Sequence, residues 1–307
     1  MDKILLIDGM NFIWRANVYF PFKDKKHFLC TRCDESLNHS HAEHCQCGGS
    51  WINEKCEHEP NKEFILIYNF FRNLRSIIET FSPDKCFFVL EGHPQFRYDL
   101  FAEYKANRII KQAHKKEDLD KFYHSKKEII KLLQLLPFTI CRAANYECDD
   151  VINTLCENMK EELLIVLSND SDYIQLLQRG YKNCRIYNPI KKEFMIAPPY
   201  PYVAWKCLNG DKSDNIPPLL KPKKALETIT NPEKFKTFLS TEENRANFNI
   251  SRQLIEFRSV PEEEIIISEG EKKFSFLKEE FVRMKFDSLT NEKSWMKFVK
   301  TFNCLKF

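Results

Sequence analysis

The chain has 307 residues, of which 30% are charged and 13% aromatic, and its formal net charge is +3. That length allows two domains and a sizeable core, and the balance is that of a folded protein rather than a disordered one. No apolar run approaches the ~18–20 residues of a membrane span and no export signal is visible, so a protein of the reducing cytoplasm is expected.

Residues 4–7 form a short apolar run that ends in Asp8 and reads as a buried strand, followed by a helix over 11–18. After a cysteine-rich insert (27–60), a long helix is predicted over 62–80. Its apolar positions Phe64, Ile67, Tyr68, Phe71, Leu74 and Ile78 recur at helical spacing. A second strand, 86–90, runs into Glu91. Gly92 and Pro94 mark the loop that leads to a basic stretch carrying Lys105, Arg108, Lys111, Lys115 and Lys116, and a helix is expected over 121–136. That stretch reads either as a solvated helical face or as a surface that tracks phosphates.

Glu147-Cys148-Asp149-Asp150 then heads an apolar helical stretch. On a helix Glu147 and Asp150 share a face, and Asp149 points to a neighbouring one. Carboxylates this close repel unless a cation answers them; an acidic first turn that complements the helix dipole is the alternative. A third strand, 163–167, is followed by Ser168-Asn169-Asp170, then a helix over 173–178 and a hairpin pairing 184–187 with 193–196. Three prolines at 198, 199 and 201 mark a boundary, beyond which the chain reads as mostly helical to its end. The expected division is a core over 1–196 and a helical region over 197–307.

Three strands that each run into an acid place carboxylates where ligands of open α/β sheets gather. Together Asp8, Glu91, Glu147, Asp149, Asp150, Asp170, Asp172, Asp211 and Asp214 form a set of hard oxygen donors without partnering histidines, which points to two Mg²⁺ or Mn²⁺ ions rather than zinc. Such ions beside lysine and arginine suit phosphodiester hydrolysis.

The chain resembles the 5′-nucleases of the flap endonuclease family, close to stand-alone bacteriophage 5′→3′ exonucleases and to the 5′-nuclease domain of bacterial DNA polymerase I. The resemblance rests on LLIDGMNFIWRA (5–16), FFVLEG (87–92), Phe96-Arg97, EYKANR (103–108), ECDDVINTL (147–155), SNDSDYIQL (168–176) and WKCLNGDKSDNIP (205–217). It implies a PIN-like, resolvase-like α/β fold: a parallel sheet flanked by helices, a helical arch over 93–120, and a C-terminal helical region with a helix–three-turn–helix-like DNA-binding motif. It implies a first metal shell from Asp8, Glu91, Glu147, Asp149 and Asp170, and a second ion on Asp150, Asp172, Asp211 and Asp214. Lys105 and Arg108 match the basic residues that hold the scissile phosphate. Tyr104 is expected either to stack on a base or to pack, and Arg15 and Arg97 either to touch phosphates or to form salt bridges.

The implied activity is cleavage of 5′ ends or flaps of DNA and of RNA primers on DNA, leaving 5′-phosphate and 3′-hydroxyl. The implied partners are DNA and possible RNA–DNA hybrids, with coupling to a polymerase or single-strand-binding protein, no membrane, and a monomeric state. A catalytically weak DNA-junction binder and a PIN-type endoribonuclease are the alternatives. Two positions depart from the family pattern. Glu91 replaces an aspartate, and the loop 217–225 lacks the usual glycines, so a potassium site is not expected there. Lys221, Lys223 and Lys224 are instead expected to grip phosphates.

Of the twelve cysteines, Cys86, Cys156 and Cys184 fall inside core elements, while five crowd between Cys30 and Cys56. Cys30, Cys33, Cys45 and Cys47 form two knuckle-like pairs, the spacing of a structural zinc module, with Cys56 or His58 as substitutes. An incidental cluster in a disordered insert is the alternative.

Overall fold

The structure, a computed structural model, describes residues 1–17, 27–30, 36–37, 51–54, 62–108 and 116–306; in the segments 27–62 and 116–118 only the backbone is described. Its centre is β1 (Lys3–Asp8). Ile4 and Leu6 pack on one face and Leu5 and Ile7 on the other, which is why this strand is a continuous apolar run. β1 is followed by α1 (Gly9–Ala16), the insert strands β2 (His27–Cys30), β3 (Ser36–Leu37) and β4 (Trp51–Glu54), α2 (Ile65–Phe81) and β5 (Lys85–Leu90). Next come α3 (Gln95–Leu100), α4 (Lys116–Leu133), β6 (Thr139–Ala143), α5 (Cys148–Asn158), β7 (Leu163–Leu167), α6 (Ile174–Gln178), β8 (Cys184–Asn188) and β9 (Glu193–Phe194).

These strands build a seven-stranded sheet in the order β10-β6-β5-β1-β7-β8-β9, where β10 is Ile265–Glu269. The five inner strands run parallel, and β9 and β10 are antiparallel edges. The chain moves outward from β1 through β5 to β6, then returns to the other side of β1 as β7. The carboxyl ends of β6, β5, β1 and β7 therefore lie side by side at the reversal of strand order, where a crevice opens.

The expected strands and the helix over 173–178 are present, the last entered through a 3₁₀ turn at Ser171–Tyr173. The hairpin is shorter than expected, with Glu193–Phe194 as its second strand. The division at 197 needs correction. Helices α7 (Tyr202–Asn209), α8 (Pro222–Ile229), α9 (Pro232–Phe238) and α10 (Glu242–Ile255) surround their own core of Leu208, Ile229, Phe248 and Leu254. The chain then returns to the sheet. Strand β10 pairs with β6, and Leu277, Phe281, Phe298 and Phe302 join Phe70, Phe71 and Leu74 in the core beneath the sheet. The sequence hid this because Ile266 and Ile267 lie on an exposed edge and make no buried period-two pattern.

The insert strands form a three-stranded antiparallel sheet, β3-β2-β4. Cys33, Cys45 and Cys47, the side chain of Cys30, and the middle of the expected arch lie outside the described residues. Among the described residues no helix is long and apolar enough to cross a membrane.

Candidate metal and nucleic-acid site

Asp8 ends β1, Glu91 follows β5, Asp149 opens the helix after β6, and Asp170 follows β7. All four line one open cleft of about 540 Å³, with Asp172, Asp214, Lys105, Arg108 and Arg15 also on its wall. The backbone is shaped for this approach. A Cβ at Gly92, directly after Glu91, would sit 2.0 Å from the Ala143 carbonyl oxygen and 2.4 Å from that of Tyr146, so only glycine lets the β5 end lie against the β6 end.

Each of the four strand-end acids is positioned by neutral donors. Asp8 caps α1 through the Asn11 N–H at 3.1 Å and accepts from the hydroxyls of Ser168 (2.9 Å) and Tyr173 (3.3 Å). Glu91 accepts from the Cys148 N–H at 3.2 Å, Asp149 from the Asp150 N–H at 2.8 Å, and Asp170 from the Asp172 N–H at 2.9 Å. Burial pushes Asp8 up to about 6, helped by the charge of Asp170. Burial, then the charge of Glu147, pushes Glu91 up to about 7. Burial also raises Asp149, with the charges of Asp150 and Glu147 adding to it. Oxygen-only donors whose negative charge is poorly compensated fit a hard divalent cation, which would supply the missing charge.

Behind this wall lies an ionic layer. Arg97, only 1% exposed, donates to Asp150 from two nitrogens at 2.6 and 2.9 Å and to Glu147 at 2.8 Å. The Arg258 N–H donates to Asp150 at 2.8 Å. Glu147 also accepts from Lys105 and from the Tyr104 hydroxyl. Burial works against the Arg97 guanidinium, and Asp150 and Glu147 more than offset it, so it stays charged. Burial likewise opposes the Glu147 carboxylate, and Lys105 with Arg97 holds it below its ordinary value.

Residues 50–200 match the family described as 5′-3′ exonuclease, N-terminal resolvase-like domain. Over that span, just under half of its length, the chain is similar to this family. It is 29% identical over 219 residues to DNA polymerase I of Chloroflexus aurantiacus, covering 61% of this chain and 22% of that protein. It is 26% identical over 225 residues to the 5′-3′ exonuclease of Mycoplasmopsis pulmonis, covering 70% of this chain and 61% of the relative. The chain thus spans less than two thirds of these relatives. Its fold is similar to that of the bacteriophage T5 flap endonuclease, solved as a pseudo-enzyme–product complex with DNA and metal ions, with a TM-score of 0.55 at 15% identity over 98% of this chain and 97% of that one.

The expected site residues do not all face the cleft. Arg97 is sealed among carboxylates, so the expectation of a phosphate contact is corrected to its salt-bridge alternative. Tyr104 is 1% exposed and bonded to Glu147 and Asp214, which corrects the base-stacking reading to packing. Asp150 is fully buried, with both oxygens held by Arg97. Its oxygens still lie within 4.8 Å of ligand atoms of Glu147 and Asp149, and this proximity is what Arg97 neutralises. Glu147 is also buried and held by cations. Asp211 lies off the cleft wall, bonded to Lys206 at 2.6 Å and to the Ser213 N–H and hydroxyl, each at 2.7 Å. Lys221, Lys223 and Lys224 are exposed at the start of α8.

Two sequence motifs prove to be one structure. The Lys105 N–H donates to the Asp214 carbonyl at 3.0 Å, the Asn107 amide to Asn215 at 3.0 Å, and the Asn215 amide to the Glu103 carbonyl at 3.0 Å. Arg108 pairs with Asp214 at 2.6 Å. Both Lys105 (φ 56°) and Asn215 (φ 61°) are left-handed, a conformation that the docked segments must hold against its intrinsic cost of roughly 1–3 kcal/mol each. Sequence reasoning missed Lys206, whose spacing on α7 looks like that of any helical lysine. It also missed Trp14, 40% exposed on the cleft wall and stacked on Phe122 with centroids 3.9 Å apart. An aromatic beside Arg15 on a helix that starts at Asp8 was the available signal.

Proposed function

We propose that this chain is a divalent-metal-dependent 5′ nuclease that hydrolyses phosphodiesters at 5′ ends or flaps of DNA and at RNA primers on DNA, leaving 5′-phosphate and 3′-hydroxyl. The observation that carries the reading is the meeting of Asp8, Glu91, Asp149 and Asp170, from the ends of four adjacent parallel strands, on a cleft that also presents Lys105, Arg108 and Arg15. Acids alone would repel a phosphodiester; acids that hold cations beside a basic rim attract one.

Asp8, Glu91, Asp149 and Asp170 would hold Mg²⁺ or Mn²⁺, two ions in all with Asp172, Asp211 and Asp214 contributing. When bound, such ions make a water nucleophilic at neutral pH and offset charge on the phosphodiester oxygens. The protein's own contribution is positioning. Ser168, Tyr173 and Asn11 fix the Asp8 carboxylate, and the Cys148 N–H fixes Glu91. Arg97 removes the repulsion that would otherwise push Glu147 and Asp150 apart. Lys105 and Arg108 bring two fixed positive charges to the cleft, where they can hold the scissile phosphate and stabilise its developing charge. The bacteriophage T5 flap endonuclease was solved with DNA and metal ions, which supports the same ligand chemistry here. Lys221, Lys223 and Lys224 are assigned to the duplex backbone, and the insert cysteines Cys30, Cys33, Cys45 and Cys47 keep their sequence-based reading as a structural zinc module.

The test is cleavage of end-labelled flap, nicked and RNA-primed duplexes with Mg²⁺, with products sized. Short 5′ products that vanish in EDTA are expected. Tight junction binding without cleavage would replace this reading with that of a binding protein.

A further inference from the structure

Lys105 and Lys206 are both largely buried and bonded to acids of this region, and only Lys105 is accounted for by the reading above. Lys206 projects from α7, is 8% exposed, and is bonded to Asp172 and, at 2.6 Å, to Asp211. The lysine holds Oδ1 of Asp172 and Oδ2 of Asp211. The Tyr202 hydroxyl donates to Asp172 at 3.3 Å, and Ser213 provides both donors to the other Asp211 oxygen. One ammonium thus sits between two carboxylates that could otherwise hold a divalent ion. A divalent ion held by these same two oxygens and the ammonium cannot both occupy that space, because their charges repel.

We propose that Lys206 is the resident cation of the Asp172–Asp211 pair, and that a divalent ion reaches these carboxylates only by displacing it. This deepens the nuclease reading and rests on its assignment of divalent ions to the cleft acids. Asp8, Glu91, Asp149 and Asp170 receive their described hydrogen bonds from neutral donors, so an ion there displaces no buried ammonium. Ions therefore bind in a fixed order: first at those four acids of the cleft, then, at higher ion concentration, between Asp172 on the cleft wall and Asp211 beside it. The lysine holds the second pair of acids together until that ion arrives.

Mn²⁺ binding to the full-length protein without DNA, read from the electron paramagnetic resonance of free Mn²⁺, tests this. The wild type is expected to bind one ion tightly and a second at least ten-fold more weakly. In Lys206→Met the second should tighten by ten-fold or more while the first is unchanged, and in Lys206→Arg, which keeps the charge, both should bind as in the wild type. Melting in EDTA gives an independent readout: Lys206→Met should melt lower than the wild type and gain more from added Mn²⁺. Lys206→Gln, whose amide can still donate to one carboxylate, serves if the methionine variant does not fold. A second-ion affinity in the uncharged variants equal to or below that of the wild type overturns the proposal while leaving the nuclease reading intact. Absence of any Mn²⁺ binding in the wild type overturns both.

Discussion

Asp8, Glu91, Asp149 and Asp170 face the cleft with neutral hydrogen-bond donors for company, whereas Glu147, Asp150, Asp172 and Asp211 each hold a lysine or arginine. Both groups are acidic and all but Asp211 stand at the same sheet ends, yet their charge states diverge. In the first group burial pushes Asp8 up to about 6 and Glu91 up to about 7. In the second, Lys105 and Arg97 overcome burial to hold Glu147 down, and Lys206 does the same for Asp211. Asp172 shifts with the first group: burial pushes it up to about 6 even beside Lys206. The difference separates acids that await a cation from acids that already have one. Sequence pattern cannot make that distinction, because every member of both groups is an aspartate or glutamate in a specific motif.

The sharpest way to break the comparison is to neutralise one acid of the open group. Asp149→Asn is expected to lower cleavage by on the order of 10³-fold or more while leaving duplex binding in place. Single-turnover rates with a labelled flap, paired with a binding isotherm, check this; near-normal cleavage would show that Asp149 is not part of the reaction centre.

Next in size is the pH response of the metal-free protein. A carboxylate whose pKa is raised by folding binds more protons folded than unfolded between about pH 4 and its folded value. Stability therefore falls as pH rises through that window. For Asp8 the window ends at about 6 and for Glu91 at about 7. At roughly 1.4 kcal/mol for each tenfold change in proton affinity, each acid contributes about 3 kcal/mol of destabilisation by neutral pH, as an upper bound. In EDTA the melting temperature should drop by on the order of 10 °C between pH 5 and 8, and Mg²⁺ at pH 8 should recover most of it. A flat profile would mean that burial does not raise these acids.

Much of the open group was legible. Strand runs that end in Asp8, Glu91 and the segment before Asp170 predict carboxylates at one sheet end, and the structure brings those residues to one cleft. The compensated group was not legible, because pairing depends on which way a side chain turns. Arg97 and Asp150 lie 53 positions apart, and Lys206 and Asp172 34 apart. No local period records such a contact. The return of the chain to the sheet at β10 was hidden for a related reason: its partner β6 lies more than a hundred residues earlier, and an edge strand need not be amphipathic.

The compensated group is tested by removing its cation. Arg97→Ala leaves Asp150 and Glu147 buried without their guanidinium and should destabilise the fold by about 3–5 kcal/mol, measured by urea unfolding. Unchanged stability would mean that water or a bound ion replaces the arginine without loss. Lys105→Ala should instead cost turnover, on the order of 10²-fold, with affinity changed little. A loss confined to affinity would make Lys105 a tether for DNA rather than a group that acts on the phosphate.

The smallest expected effect lies outside both groups. Lys221, Lys223 and Lys224 are exposed at the head of α8, where the loop lacks the glycines that would let backbone approach a duplex closely. A contact made by long cationic side chains is electrostatic and displaces condensed counterions, so its strength follows salt rather than shape. Replacing all three with alanine should flatten the slope of log affinity against log salt by roughly 0.9 for each lysine that touches a phosphate. Cleavage at saturating substrate should stay unchanged. The affinity loss should be largest in dilute buffer and fade as salt rises, because screening removes the same attraction that the substitutions remove. If the loss persists undiminished at high salt, these lysines act through packing or loop conformation, and the duplex must be held elsewhere on the molecule.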